Sequence, residues 1–171
     1  LVLRIFDTGE QGKIFIDGID ITRIPLETLR NNIGYVPQDN FLFSATIAEN
    51  ISFTPDKTEQ TQIDEAAKSS CVYDDITGFP DKFQTMLGER GVNLSGGQKQ
   101  RVSIARALIK QAPILILDDC LSAVDTKTER KILEELKSIR HDRTCIIIAH
   151  RISAVKDADE ILVLDKGEVV E

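Results

Sequence analysis

Apolar and polar positions change rhythm twice along this chain. From Gly12 to Gly18 ("GKIFIDG") they alternate between two turn glycines, which predicts a half-buried strand. "IPLETLRNN" follows with helical spacing and Pro25 near its start, and "IGYV" (Ile33 to Val36) reads as a short buried strand ending at Pro37. From Asn40 onward the texture turns helical: "TIAENI", then "EQTQIDEAAKSSCVYDDI" as one helix, then a long helix from Gly96 to Lys110. After Pro113 the pattern is strand, helix, strand, short helix, strand. The strands are "ILILD", "TCIIIAH" and "EILVLD", with the helical "TKTERKILEELKSI" between the first two. Near-continuous apolar strands predict a parallel sheet covered on both faces, because an alternating pattern would leave one face wet. The expectation is an α/β fold whose core, residues 1–39 and 111–171, is interrupted by a helical subdomain at 40–110.

Composition narrows the function classes. At 171 residues, 42% hydrophobic and 29% charged, the chain suits one soluble globular domain. A net charge of −7 argues against nucleic acid as a partner, since a phosphate backbone needs a basic face. No apolar run is long enough to span a bilayer, and the start carries no signal-peptide pattern. Cys71, Cys120 and Cys145 form no CxxC pair, which fits reduced thiols better than a disulfide framework or a zinc site.

Within "NLSGGQKQRVSIARALI", Ser95 precedes a helical pattern and Gln98 stands three residues on, the spacing of a capping box. A capped helix alone does not explain two glycines in the first turn, each weakening a helix by about 1 kcal/mol. They make sense if something approaches the backbone closely, and bare N–H groups beside a serine hydroxyl suit an anion such as phosphate. "LSGGQ" at Leu94–Gln98 resembles the signature motif of ATP-binding cassette (ABC) ATPases, and that family's other motifs follow in its order. "ILILDD" resembles Walker B, which makes Asp118 the residue organising Mg²⁺. "LSAVD" (Leu121 to Asp125) resembles the D-loop, with Val124 where leucine is usual. "VPQD" places Gln38 as the glutamine that senses Mg²⁺ and the γ-phosphate, and "IIIAHR" places His150 as the switch histidine.

The resemblance covers essentially the whole chain and implies a P-loop NTPase-type sheet core, with ATP and Mg²⁺ as cofactors. It also implies a head-to-tail partner, a second ABC ATPase domain. Each nucleotide site would combine Gln38, Asp118, Asp119 and His150 of one domain with Ser95, Gly96, Gly97 and Gln98 of the other, and Asp125 at the end of the D-loop would also be a nucleotide-binding residue. "LGERGVN" and "NFLFSATIAENI", with Ala45 where glycine is common, resemble exporter segments that meet the coupling helices of a transmembrane domain. That implies a position on the cytoplasmic face of a membrane. Phe41 and Phe43 would pack against a coupling helix or, equally, form local core of the helical insert. A soluble, non-transport ABC ATPase and a non-catalytic partner-binding module are the alternatives, which the sequence upstream of Leu1 would separate.

Two departures stand out. No G-x-x-x-x-G-K-[ST] phosphate loop is found. "GEQGKI" has its glycines too close together, Ile14 in place of the Mg²⁺-binding hydroxyl, and a strand instead of a helix after it. "LVLRIFD" resembles the end of the helix that follows that loop, so the chain is expected to be an N-terminally truncated domain, inactive in isolation and poorly stable at its open sheet edge. Secondly, the family usually has glutamate after Asp118, as general base. Asp119 lacks one methylene, which draws its carboxylate back by about 1.5 Å. Such an aspartate marks the impaired site of exporters built from two different subunits.

Overall fold

The computed structural model describes residues 1–6, 13–53, 58–88, 93–139 and 143–170. Its centre is a parallel sheet of β3 (Ile33–Val36), β4 (Ile114–Asp118) and β5 (Thr144–Ile148), in the order β3-β4-β5. Val36 stands opposite Leu117, and Asp118 opposite Ile148, so neighbouring strands end at the same edge. Parallel strands cannot be joined by a tight turn. Between β3 and β4 the chain therefore passes through α2 (Ile47–Ser52), α3 (Gln60–Ser69), α4 (Tyr73–Thr77) and α5 (Gly96–Leu108). Between β4 and β5 it passes through α6 (Thr126–Ile139).

Successive residues of β4 point to opposite faces, and each face has its own cover. Leu115 and Leu117 pack with Ile104 and Leu108 of α5 and with Ile132 and Leu136 of α6. Ile116 packs on the other face with Ile33 and with Leu29 of α1 (Leu26–Asn31). The helices ahead of β4 have a separate core around Leu42, Ile47, Ile51, Ile63 and Phe83, which Val102 and Ala105 of α5 complete. Helix α5 thus serves two cores from opposite sides, so its position is set by both the sheet and the helical layer. Gly34 permits this: a Cβ there would lie 2.9 Å from the Ala107 carbonyl oxygen, so any other residue would push α5 off β3.

Three expectations need correction. The alternating segment from Gly12 holds only two-residue strands, β1 (Phe15–Ile16) and β2 (Ile19–Asp20), in a hairpin. Asp17 and Gly18, with φ of 49° and 76°, make its turn, so "DG" was the stronger signal. The helix expected over 59–76 is two helices. Cys71 takes φ 56°, its N–H donates to the Lys68 carbonyl and that of Val72 to the Ala67 carbonyl, a Schellman ending. Glycine normally announces that ending, and here a cysteine fills the position. Finally, "EILVLD" does not join the parallel sheet. Ile161 to Val163 lie outside any strand, and β6 (Leu164–Asp165) pairs antiparallel with β7 (Glu168–Val169). Apolarity marks a segment able to form a buried strand, but it cannot supply the neighbour that would pair with it.

Candidate functional site

Helix α5 is capped by Ser95, whose hydroxyl accepts the Gln98 backbone N–H at 3.2 Å while the Gln98 side-chain oxygen Oε1 accepts the Ser95 N–H at 3.0 Å. The capping box expected from the sequence is therefore closed in both directions. The other end of the Gln98 amide donates to Asp75 on α4 at 2.8 Å, and Arg101 pairs with the same carboxylate at 2.7 Å. These bonds fix the helix N-terminus while leaving Ser95 and Gly96 exposed. Gly97 has a different reason to lack a side chain. A Cβ there would stand 2.9 Å from the backbone carbonyl oxygen of Ala123, so the close approach it permits is to the loop after β4.

At the shared edge of the sheet, Gln38 lies just past β3, Asp118 ends β4 with Asp119 just past it, and His150 lies just past β5. This carboxyl edge of parallel strands is where α/β sheets place their ligands. Gln38 and His150 are exposed, and Asp118 and Asp119 are half-buried. The Tyr35 hydroxyl donates to Asp118 at 3.3 Å. Burial, followed by the Asp118 charge, pushes the Tyr35 phenol above its usual range, so it remains a donor. Asp119 adopts φ 44°, a left-handed conformation that aspartate tolerates better than most side chains. Its N–H donates to the Ile148 carbonyl at 2.9 Å, tying the end of β4 to the strand that leads to His150. Asp125 caps α6, accepting the Lys127 and Thr128 N–H groups at 3.1 and 3.0 Å. Hydrogen bonds from Thr128, foremost, hold its carboxyl below the usual range. Topology thus brings Gln38, Asp118, Asp119 and His150 to one edge. Ser95 to Gln98 sit on a separate helix end, joined to that edge through Ala123.

One carboxylate at a strand end is the donor set expected for Mg²⁺ carried in with a nucleotide, which keeps waters and phosphate oxygens as its other ligands. Among the described residues no group of three or more His, Cys, Asp or Glu could hold a metal by itself. Asp118 therefore fits Mg²⁺ held together with a nucleotide.

Several supporting residues were not anticipated from the sequence. Gln100, 5% exposed, bonds to both Ser122 and Ala123. Arg151 donates to the Ser122 carbonyl at 3.0 Å, the Val124 carbonyl at 3.4 Å and the Glu129 carboxylate at 2.6 Å, and Ser153 donates to the other Glu129 oxygen at 2.7 Å. Both buried polar residues had a readable signal. Gln100 falls in phase with Ile104 and Ala107, and Glu129 with Ile132 and Leu136. Glu129 is 2% exposed but Arg151 is about half exposed, so Arg151→Ala would leave the buried carboxylate with only the Ser153 hydroxyl and is expected to cost about 1–3 kcal/mol. Thermal unfolding of the full-length protein measures it. A further Glu129→Gln should recover part of the loss by removing the buried charge.

Phe41 and Phe43 are 50% and 47% exposed, so they are not core; the core residue is Leu42 between them. Phe43 stacks edge-to-face on both Phe41 and Phe53, with the Arg106 guanidinium over Phe43 and Phe53. Burial lowers the Arg106 pKa to about 10, leaving it charged at neutral pH to bind the Asn50 and Phe41 carbonyls. The "GERG" stretch noted in the sequence has Glu89, Arg90 and Gly91 outside the described residues.

Comparison with known proteins identifies the class. The ABC transporter family model matches residues 2–122. Over the whole chain, "ABC transporter B family member 24, mitochondrial" of Arabidopsis thaliana is 47% identical, with 25% of its own length covered. The ATM1-type heavy metal exporter of Novosphingobium aromaticivorans is 46% identical, with 28% covered. The solved structure of a bacterial Atm1-family ABC exporter with ATP bound superposes at a TM-score of 0.95 and 46% identity, over 99% of this chain and 30% of that one. The chain belongs to the ABC transporter family and corresponds to the nucleotide-binding domain of its exporters. It spans between a quarter and a third of the length of these relatives.

Proposed function

We propose that the chain is the ATP-driven part of an ABC exporter, coupling ATP binding and hydrolysis to export across a membrane. The observation that carries this reading is the 0.95 TM-score, at 46% identity, to an exporter with ATP bound. Residues 1–39 and 111–171 form the sheet core in this reading, and 40–110 the helical subdomain. Ser95, Gly96, Gly97 and Gln98 present hydroxyl and N–H groups to the phosphates of the nucleotide held by a second ABC ATPase domain. Asp118 and Gln38 hold Mg²⁺, which neutralises developing phosphate charge when bound. His150 contacts the γ-phosphate, Asp119 orients the attacking water, and Asp125 holds the D-loop by capping α6. The exposed Phe41 and Phe43 meet a coupling helix of the transmembrane domain, which places this domain on the cytoplasmic face.

The shortened carboxylate at position 119 supports a finer reading, that the parent is the impaired half of a heterodimer. Catalytic groups misplaced by about 1 Å can lose on the order of a hundredfold in rate, about 2.7 kcal/mol of barrier. The 171-residue chain alone, with no G-x-x-x-x-G-K-[ST] sequence to cradle phosphates, is inactive in this reading. Steady-state hydrolysis of Mg·ATP tests both levels. The full-length protein assembled with its partner should turn over ATP, the isolated chain should not, and with the partner's own site disabled Asp119→Glu should raise turnover at least about tenfold. No turnover by the full-length protein would refute the exporter reading. Unchanged turnover in Asp119→Glu would refute the impaired site alone.

A further inference from the structure

Ala123, in the loop after β4, is gripped by one face of α5 through three of its atoms. Its Cβ would lie 3.5 Å from a Cβ at Gly96, its carbonyl oxygen 2.9 Å from one at Gly97, and its N–H donates to the Gln100 side-chain oxygen at 2.9 Å. The other end of the Gln100 amide donates to the Ser122 hydroxyl at 3.1 Å, and that hydroxyl donates to the Asp119 carbonyl at 3.0 Å. A buried amide costs stability unless its groups are paired, and both ends of this one are paired with the same loop.

We propose that Gln100 is a positioning residue that couples the signature helix to Asp119 through the Ser122 hydroxyl. The inference rests on the nucleotide-site roles proposed above for Ser95 and Asp119. Asp119 sits in a left-handed conformation, which for a residue other than glycine is strained and persists only where its surroundings hold it. Its N–H is held by the Ile148 carbonyl, and its carbonyl by the Ser122 hydroxyl at 3.0 Å and the Ser122 backbone N–H at 3.4 Å. Of these restraints, only the Ser122 hydroxyl is bonded to a side chain of α5. Any displacement of the helix that docks Ser95 on one nucleotide is thereby passed through Gln100 and Ser122 to the carboxylate at the other nucleotide. The two sites of a head-to-tail pair would be linked through the interior of each domain as well as across the interface. In an unequal pair the same link acts in reverse, because loosening α5 misplaces Ser95 at the partner's active site.

The test is steady-state Mg·ATP turnover by the full-length protein assembled with its partner. Gln100→Glu keeps the acceptor for Ala123 but draws the Ser122 hydroxyl proton away from Asp119, and Ser122→Ala removes the hydroxyl relay, leaving the Asp119 carbonyl only the longer 3.4 Å bond from the backbone N–H of residue 122. Each should lower kcat at least about tenfold with KM for ATP within about threefold, since alignment is lost and binding is not. Because both substitutions break one path, the double variant should be no slower than the slower single one. Ser122 is exposed, so its variant is expected to fold even if one at Gln100 does not. Turnover within about twofold of wild type in Ser122→Ala, or multiplicative losses in the double variant, would overturn the inference and leave the exporter reading standing. No turnover by the wild-type assembly would overturn both.

Discussion

Gly97→Ala should cost the full-length protein on the order of a hundredfold or more in ATP turnover. The added Cβ would arrive 2.9 Å from the Ala123 carbonyl oxygen, a backbone atom that cannot swing aside as a side chain would. Either α5 retreats from the loop or the loop retreats from α5. In both cases Ser95 and Asp119 move apart, because Ala123 lies on the path between them. Overpacking of this kind costs about 1–3 kcal/mol, offset in part by the roughly 1 kcal/mol that alanine gains over glycine within a helix. Stability should therefore fall modestly while turnover collapses. Gly96→Ala is the internal comparison for stability. Its Cβ meets only the Ala123 Cβ, at an ordinary 3.5 Å, so its thermal midpoint should stay at or above that of the wild type. Steady-state kinetics and thermal unfolding of the two variants, measured together, check the contrast.

How much of this was legible in the sequence depends on how local the signal was. The strands "IGYV" and "ILILD" were legible because a run of apolar residues ending at proline or aspartate carries its own boundaries, and they match Ile33–Val36 and Ile114–Asp118. The capping box at the start of α5 was legible because Ser95 and Gln98 satisfy each other within one turn. The break at Cys71 was hidden because a left-handed helix end usually carries glycine. The segment Ile161 to Leu164 misled because its apolarity concerns a neighbour that its own residues cannot specify. Residues placed on the sheet edge by family motifs, Gln38, Asp118, Asp119 and His150, came out together because adjacent parallel strands end together. The residues that brace the loop after β4 were hidden for the opposite reason. Gln100 to Ala123, and Arg151 to Glu129, are contacts between distant segments, and only the phase of a polar residue on an apolar stripe hinted at them. The glycine pair shows both sides of this: close approach was rightly expected, but Gly97 meets Ala123 within its own chain.

Ser95→Asp is the second substitution with a large expected effect. Ser95 is the N-cap of α5, and that role alone would explain its presence. Aspartate is about as good an N-cap as serine, and its charge also suits the positive end of a helix dipole. The cap should survive this substitution, with stability within about 0.5 kcal/mol of the wild type. An exposed carboxylate at that position would, however, face the phosphates that the signature motif is proposed to receive. Like charges at close range in a partly desolvated site repel strongly, and the serine hydroxyl donor is lost as well. A cap tolerates the change, whereas a nucleotide site does not.

Steady-state Mg·ATP turnover of the full-length Ser95→Asp protein, assembled with its partner and compared with wild type at matched thermal stability, is the most direct single test. If Ser95 to Gln98 complete a nucleotide site, turnover should fall at least about a hundredfold with the fold intact. If it stays within about twofold of wild type, Ser95 is a helix cap only. In that case the signature helix does not meet nucleotide, and the proposed site is wrong.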